Sequence, residues 1–138
     1  MQPERLTVKS QEALEGAQRL AREHQHQELQ PEHLLAALLG ESEGTITAVL
    51  QKLGVAREPL LASARRAIEG CARVQVGSMY MSHALRAVLD RAEAGADRLK
   101  DEFVSVEHLL LALAAPDTAG EAQRLLAKAG VTEDAVFK

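Results

Sequence analysis

The feature that most constrains this sequence is a four-residue motif that occurs twice. Glu32-His33-Leu34-Leu35 reappears as Glu107-His108-Leu109-Leu110, which is 75 residues further along the chain. At the same spacing Leu6-Thr7 matches Met81-Ser82. Self-similarity at a fixed period indicates that one supersecondary unit has been duplicated. The chain is therefore expected to fold as two related halves.

The repeat divides residues 1–138 into a first copy at 6–69, a linker at 70–80 and a second copy at 81–138. Two copies are too few for an extended solenoid, in which each repeat needs neighbours on both sides. We therefore expect the halves to pack face to face about a pseudo-twofold axis and to share one core. The boundary between the two halves is the first place to look for function.

Composition and spacing predict an all-α fold with four helices in each copy. Aromatic side chains make up 2% of the chain and apolar ones 46%, so the core must consist largely of Leu and Ala, which favour helices. Caps and Pro or Gly breakers place the ends. The predicted helices begin after Thr7, at Pro31, after Thr45 and near 57 in the first copy, and after Ser82 (to about Lys100), after Ser105 (to Ala115), before Gly130 and from Thr132 in the second. The last segment is short for a helix, so we expect the chain to continue into a longer protein.

Charge and polarity exclude several classes of function. Sixteen basic and twenty acidic residues give a net charge of −4, and no dense basic run is present to bind a phosphate backbone. The apolar runs are far shorter than the ~20 residues that cross a bilayer. A single cysteine, Cys71, and a polar start indicate a reducing compartment. The expectation is a cytoplasmic chain with no nucleic-acid or membrane partner.

No motif for phosphate binding or hydrolytic chemistry is present, so we expect no enzymatic activity and no cofactor in this chain. His24, His26 and His33 are the candidate metal ligands, but their spacing is not that of a metal site, which disfavours a metal-dependent hydrolase. His33 and His108 recur in equivalent first turns, which indicates a structural role. No sustained heptads occur, so an isolated monomer is expected.

Polar residues near the expected boundary between the halves have two interpretations. Thr7 and Ser82 are good N-caps, and Glu107 lies in a first turn, where a carboxylate is favourable. Asp101 corresponds to His26 at the repeat spacing, and this asymmetry leaves room for a site on one side only. A structural role is the simpler interpretation. Leu89 belongs to a helical stripe typical of core.

Three segments together resemble the Clp amino-terminal domain family, and more narrowly its ClpB-type members. They are Arg5-Leu6-Thr7-x-Lys9-x-Gln11-Glu12-Ala13-Leu14, the doubled Glu-His-Leu-Leu, and the stretch 99–109, LKDEFVSVEHL. The resemblance spans nearly the whole chain. The segment between the copies lacks the Gly-rich character associated with ClpC, which favours the ClpB type.

The resemblance implies an eight-helix, pseudo-twofold domain at the entrance of a homohexameric AAA+ ATPase that needs ATP and magnesium in its full-length form. It implies a groove that binds exposed apolar segments of unfolded or aggregated polypeptides. It also implies that the full-length protein works together with a DnaK-type chaperone system. Neighbouring apolar family positions are filled here by Arg91, Gly95 and His108. An adaptor-docking domain of the ClpA or ClpC type is the alternative. The substrate-binding positions implied by the family pattern are Thr7, Ser82, Leu89, Asp101 and Glu107.

Overall fold

A computed structural model describes residues 3–71, 78–118 and 120–137. Within these residues the chain forms eight α-helices, as predicted, together with two short 3-10 turns at Pro3–Arg5 and Pro116–Thr118. Residues 72–77 of the predicted linker lie outside the described part. The helices are α1 (Val8–Glu23), α2 (Pro31–Leu39), α3 (Thr45–Leu53), α4 (Arg57–Glu69), α5 (His83–Arg98), α6 (Val106–Ala114), α7 (Glu121–Ala129) and α8 (Glu133–Phe137).

The helix ends follow the capping residues of the sequence. Thr7 Oγ1 accepts the Ser10 N–H at 3.1 Å, and Ser82 Oγ accepts the Leu85 N–H at 3.0 Å. Each bond satisfies one of the amides that a helix leaves open at its start. Gly54 ends α3 with φ +72°, a left-handed conformation that glycine adopts without strain. The helices α5 and α6 end one or two residues earlier than predicted, because fraying leaves the last turn ill-defined in sequence.

The two Glu-His-Leu-Leu motifs open the central helices α2 and α6. These helices are apolar almost all round, which is typical of segments buried on every side. They contact each other, and α2 also packs on α4 and α7. Their leucines belong to one continuous apolar cluster that spans both copies. The predicted all-α architecture of two related four-helix repeats is thereby confirmed.

Two short backbone pairings, which the sequence analysis did not predict, join the repeats. Strand β1 (Glu28–Leu29) runs parallel to β2 (Tyr80–Met81), with Leu29 opposite Met81. Leu6 pairs in parallel with Val104. Because Leu6 and Met81 are 75 residues apart, as are Leu29 and Val104, the two pairings are the same contact made once from each repeat. Each repeat thus sends its first residues across to the loop of the other.

Among the helices that the structure describes, none combines the length and the low polarity that crossing a membrane requires.

Candidate functional site

The pairing of Leu6 with Val104 forms a seam, which we define as residues 5–8 together with 99–107. The Thr7 N–H donates to the Val104 carbonyl at 3.1 Å, and the Val104 N–H donates to the Arg5 carbonyl at 2.7 Å. Ser10 Oγ donates to the same Val104 carbonyl at 2.8 Å. Ser10 and Val104 are buried, so these bonds are shielded from water and fix the start of α1 against the loop before α6.

Arg5 fastens the seam from outside. Its Nη1 lies 2.7 Å from Asp97 Oδ1, and its Nη2 donates to the carbonyls of Asp101 and Glu102 at 3.2 and 3.1 Å. The bond to Asp97 raises the pKa of Arg5. One guanidinium thereby connects the N-terminal segment to α5 and to the loop after it, since its planar fork of donors can bind several acceptors at once.

His108 orients the Asp101 carboxylate at the rim of the seam. The backbone N–H of Ser105 donates to His108 Nδ1 at 2.9 Å. The neutral ring therefore carries its proton on Nε2, which lies 2.9 Å from Asp101 Oδ2 and donates to it. Asp101 has half of its side chain exposed while His108 is buried. The buried imidazole thus holds an exposed carboxylate in one place.

The other repeat makes the equivalent arrangement with a different partner. The Gln30 N–H donates to His33 Nδ1 at 2.9 Å, and His33 Nε2 lies 3.0 Å from Nδ1 of His26, the residue at the position equivalent to Asp101. Burial, reinforced by the neighbouring His26, lowers the pKa of His33 to about 4. This side therefore holds a buried pair of imidazoles, with His33 neutral at pH 7, where the seam holds an exposed carboxylate.

A potential metal-ligand cluster lies beside this pair. His26, His33 and Cys71 place one ligand atom each within 4.8 Å of the others; the sequence had suggested His24 as the third ligand instead. Because His33 Nδ1 already accepts the Gln30 N–H, its Nε2 carries the proton and cannot coordinate a cation. Burial and the Glu32 carboxylate raise the pKa of Cys71 to about 11, which disfavours the thiolate. The geometry favours a hydrogen bond between the two imidazoles over a metal site.

The predicted site residues fall into two groups. Thr7, Asp101 and Glu107 all lie on the seam, and Asp101 and Glu107 are exposed. Ser82 and Leu89 are buried: Ser82 caps α5 beside Leu29, and Leu89 belongs to the core. The structure therefore places the first three on the seam and leaves the other two buried, with Ser82 at the other cross-repeat pairing.

Sequence reasoning missed the apolar surface of the seam. Val8, Leu99 and Phe103 are 71%, 46% and 48% exposed, and each lies on one of the two segments that the Leu6–Val104 pairing joins. The equivalent residues of the other repeat are His83, His24 and Glu28, which are polar. The signal available in the sequence was a large apolar residue at a helix start or in a loop, outside the core-facing stripe.

One protein family matches nearly the whole chain. The Clp repeat N-terminal domain family matches residues 5–129. The chaperone protein ClpB of Porphyromonas gingivalis is 39% identical over 127 residues, which cover 92% of this chain and 14% of that protein. The chain thus spans about one seventh of the length of the curated relatives it matches.

Solved structures share the fold. The Hsp104 N-terminal domain from Candida albicans aligns with a TM-score of 0.81 at 20% identity, covering 95% of this chain and 85% of that one. A ClpV N-domain, solved in complex with a VipB peptide, aligns with a TM-score of 0.74 at 26% identity, covering 95% and 81%. Both solved domains therefore share the overall fold of this chain.

Proposed function

This chain belongs to the Clp repeat N-terminal domain family, and from that premise we propose that it is the client-recognition domain of a ClpB-type disaggregating chaperone. Its task is to bind exposed apolar segments of unfolded or aggregated polypeptides. We propose no catalytic role for the domain. Ser105 Oγ lies 3.0 Å from His108 Nδ1, but Nδ1 already accepts the Ser105 N–H, and Ser105 Oγ accepts the His108 N–H as the cap of α6.

The observation that carries this proposal is the apolar surface of the seam. Three large apolar side chains, Val8, Leu99 and Phe103, are exposed on segments that the pairing holds together. Exposed apolar patches with a polar rim mark interaction sites. Thr7, Asp101 and Glu107 supply that rim.

A shallow apolar surface with few polar groups suits partners whose sequences differ. Apolar contact is not directional, so it tolerates many sequences, and the small area keeps each contact weak. Several tethered copies raise the effective affinity about 100-fold or more when they bind one aggregate together. Ser82 and Leu89 are buried, as the cap of α5 and as core, so their proposed contribution is to stabilise the fold that presents this surface.

Titration with a reduced, unfolded polypeptide, followed by amide chemical shifts, tests the proposal. Shifts are expected on both segments of the seam. The double variant Val8→Ser, Phe103→Ser should weaken binding about tenfold, because two apolar contacts are lost. Tyr80→Ser is the matched control, since Tyr80 is equally exposed but lies on β2. Equal losses in both variants, or no seam shifts at millimolar client, contradict the proposal.

Docking of a defined partner protein is a second candidate function. The ClpV N-domain was solved with a VipB peptide, which supports recognition of a specific segment by this fold. A stoichiometric complex with one small protein, together with indifference to denatured polypeptides, would favour this function over client recognition.

For the whole protein we propose a homohexameric AAA+ ATPase that uses ATP and magnesium and works in the cytoplasm with a DnaK-type chaperone system. The support is the set of ClpB relatives, of which this chain covers 14 to 16%. The isolated domain is proposed to be a monomer, which sedimentation at millimolar concentration tests.

A further inference from the structure

The loops that follow α1 and α5 leave their helices in the same way. Gln25 and Lys100, at equivalent positions, have φ values of +59° and +61°. The next residue of each loop, His26 or Asp101, donates its N–H to a carbonyl of the preceding helix at 2.8 Å. Such bonds close a helix end as a Schellman motif. The two loops therefore start alike, and any difference between them arises further along.

The loops differ in how the backbone of the other repeat fastens them. In the first repeat the parallel pairing covers both residues of β1 and β2, and the Tyr80 N–H donates to the Gln27 carbonyl at 2.9 Å. In the seam the pairing is a single bridge between Leu6 and Val104. The loop that carries Phe103 is therefore held by a shorter backbone pairing than its counterpart.

Arg5 supplies from its side chain what Tyr80 supplies from its backbone. The two residues are 75 positions apart and are thus equivalent. The Glu102 carbonyl, which is equivalent to that of Gln27, accepts Arg5 Nη2 at 3.1 Å and Nε at 3.3 Å. Nη2 also donates to the Asp101 carbonyl at 3.2 Å. One guanidinium can make these bonds together because its donors form a planar fork.

Two carboxylates of α5 fix the guanidinium itself. Arg5 Nη1 lies 2.7 Å from Asp97 Oδ1 and 3.5 Å from Glu93 Oε2. The equivalent positions of the first repeat hold Arg22 and Gln18, so that repeat has a carboxylate at neither position. We call these two ion pairs, together with the bonds to the two carbonyls, the Arg5 clamp. The clamp belongs to one of the two cross-repeat pairings only.

The Arg5 clamp acts on the loop whose apolar side chains are exposed. Leu99 and Phe103 lie on either side of the two residues whose carbonyls Arg5 binds. Nearly half of each apolar residue is exposed, so packing on the core fixes this loop only in part. The equivalent residues, His24 and Glu28, are polar, and their loop has the longer backbone pairing. The exposed apolar residues are therefore found where a side chain does the fastening.

We propose that Arg5 is a positioning residue for client binding, which holds residues 99–103 in the arrangement that presents Leu99 and Phe103. The inference rests on the proposed client-recognition function and adds a residue that acts through the loop and does not contact the client. A loop that is already in its bound arrangement avoids the entropy cost of being ordered during association. A loosened loop keeps the same apolar side chains and binds more weakly.

Three single variants test the proposal, with fluorescein-labelled, reduced and carboxymethylated lactalbumin as the unfolded probe and fluorescence anisotropy as the measurement. Arg5→Gln removes both ion pairs and should weaken binding about fivefold or more, because the loop must then be ordered on association. Arg5→Lys keeps the charge beside Asp97 but lacks the fork of donors, so it should recover only part of the affinity. Asp97→Asn should also weaken binding, although Arg5 itself is unchanged.

The double variant Arg5→Gln, Asp97→Asn separates positioning from direct contact. Residues that act through one another have non-additive effects, so the double variant should bind about as weakly as Arg5→Gln alone. If the charge of Arg5 instead contacted the client, loss of the Asp97 carboxylate would release that charge and leave binding unchanged or stronger. An Asp97→Asn variant that binds as well as the wild type would therefore overturn the proposal.

Arg57→Gln is the matched control for a general loss of stability. Arg57 is 19% exposed in its side chain, compared with 23% for Arg5. It also joins a carbonyl and a carboxylate, those of Leu39 at 2.7 Å and Glu58 at 2.6 Å, but it does so at the start of α4, outside the seam. Urea unfolding should show comparable losses of stability for Arg5→Gln and Arg57→Gln, and only the former should bind the probe more weakly.

Amide hydrogen exchange of the unbound domain reports on the loop directly. The Thr7 N–H donates to the Val104 carbonyl at 3.1 Å, and the equivalent Ser82 N–H donates to the Leu29 carbonyl at 3.0 Å. In Arg5→Gln the Thr7 amide should exchange about tenfold faster while the Ser82 amide keeps its rate, as expected for local opening of the seam. Equal acceleration of both amides would indicate a global loss of stability and would overturn the proposal.

The outcomes separate this inference from the proposed function. If the wild-type domain binds the lactalbumin and Arg5→Gln binds it equally well, the positioning role is overturned and the seam stays the proposed site. Weakening of the same size in Arg57→Gln overturns the positioning role as well. If the wild-type domain binds no lactalbumin, the proposed function fails, and this inference fails with it. Loss of affinity confined to the clamp variants, together with faster exchange at Thr7, supports the inference.

Discussion

At the scale of single residues, the two motif histidines act as cap residues that point their second nitrogen at the residue seven positions earlier. His108 accepts the Ser105 N–H and donates to Asp101, and His33 does the same with Gln30 and His26. Only the partner differs. One exchange, Asp101 against His26, therefore makes one rim anionic and the other a buried imidazole pair.

Acid should destabilise the fold through His33. Its pKa is about 4 in the folded chain and 6.5 when unfolded, so between these values the unfolded state binds the proton more readily. The contribution is fully present above pH 6.5 and is lost as the pH falls to about 4, with a ceiling of roughly 3 kcal/mol. Urea unfolding at pH 7 and pH 4.5 measures it. His33→Asn should show a smaller loss over this range; equal losses would assign the acid sensitivity to other groups.

Cys71 should react slowly with thiol reagents despite its partial exposure. Its pKa of about 11 leaves little thiolate at pH 8, and the thiolate is the reactive form. The Sγ lies 3.8 Å from Glu32 Oε2, so Glu32→Gln removes one cause of the raised pKa and should accelerate alkylation severalfold. The rate with iodoacetamide across pH 7 to 10 measures this. A wild-type rate equal to that of free cysteine would contradict the assignment.

At the scale of elements, replacing the first helix cap of each repeat shows whether the cap residue acts only in stability or also in client binding. Thr7→Ala should cost about 1 kcal/mol of unfolding free energy, and Ser82→Ala up to about 2, because Ser82 is buried and its loss leaves the Leu85 N–H without an acceptor. Urea midpoints measure both, and Thr7→Ser should restore stability. If Thr7→Ala changes client affinity while the folded fraction stays complete, Thr7 contacts the client; if affinity is unchanged, Thr7 is a cap alone.

Helices were predictable here because each carries its own boundary signal. Thr7, Ser82 and Gly54 act within one turn of their own positions, so a local reading of the sequence suffices. The pairings between the repeats were missed because they join segments that are distant in the sequence, such as Leu6 and Val104, about 100 residues apart, and have no local pattern. Exposure of Phe103 is missed for the same reason: whether an apolar residue is covered depends on what the other repeat places over it.

At the scale of the molecule, the crossing pairings and the shared core make each repeat depend on the other. The helices α2 and α6 pack on helices of their own repeat and also contact helices of the other one, and each repeat donates its first residues to the other's loop. Duplication therefore produced one cooperative unit with two unequal faces. The unequal faces are what a partner can distinguish.

This dependence predicts the behaviour of the separated halves. A fragment covering residues 1–71 leaves the far side of α2 exposed and lacks the partner of Leu6, so it cannot bury enough apolar surface to offset the entropy of ordering its chain. Neither it nor a fragment covering 78–138 should show a cooperative urea transition alone. Mixing the two at equal concentration should restore helical circular dichroism and a single transition. The intact chain is expected to unfold in one step at every concentration. A cooperative transition in either fragment by itself would show that one repeat is a complete folding unit, and the crossing pairings would then be additions to an already stable core.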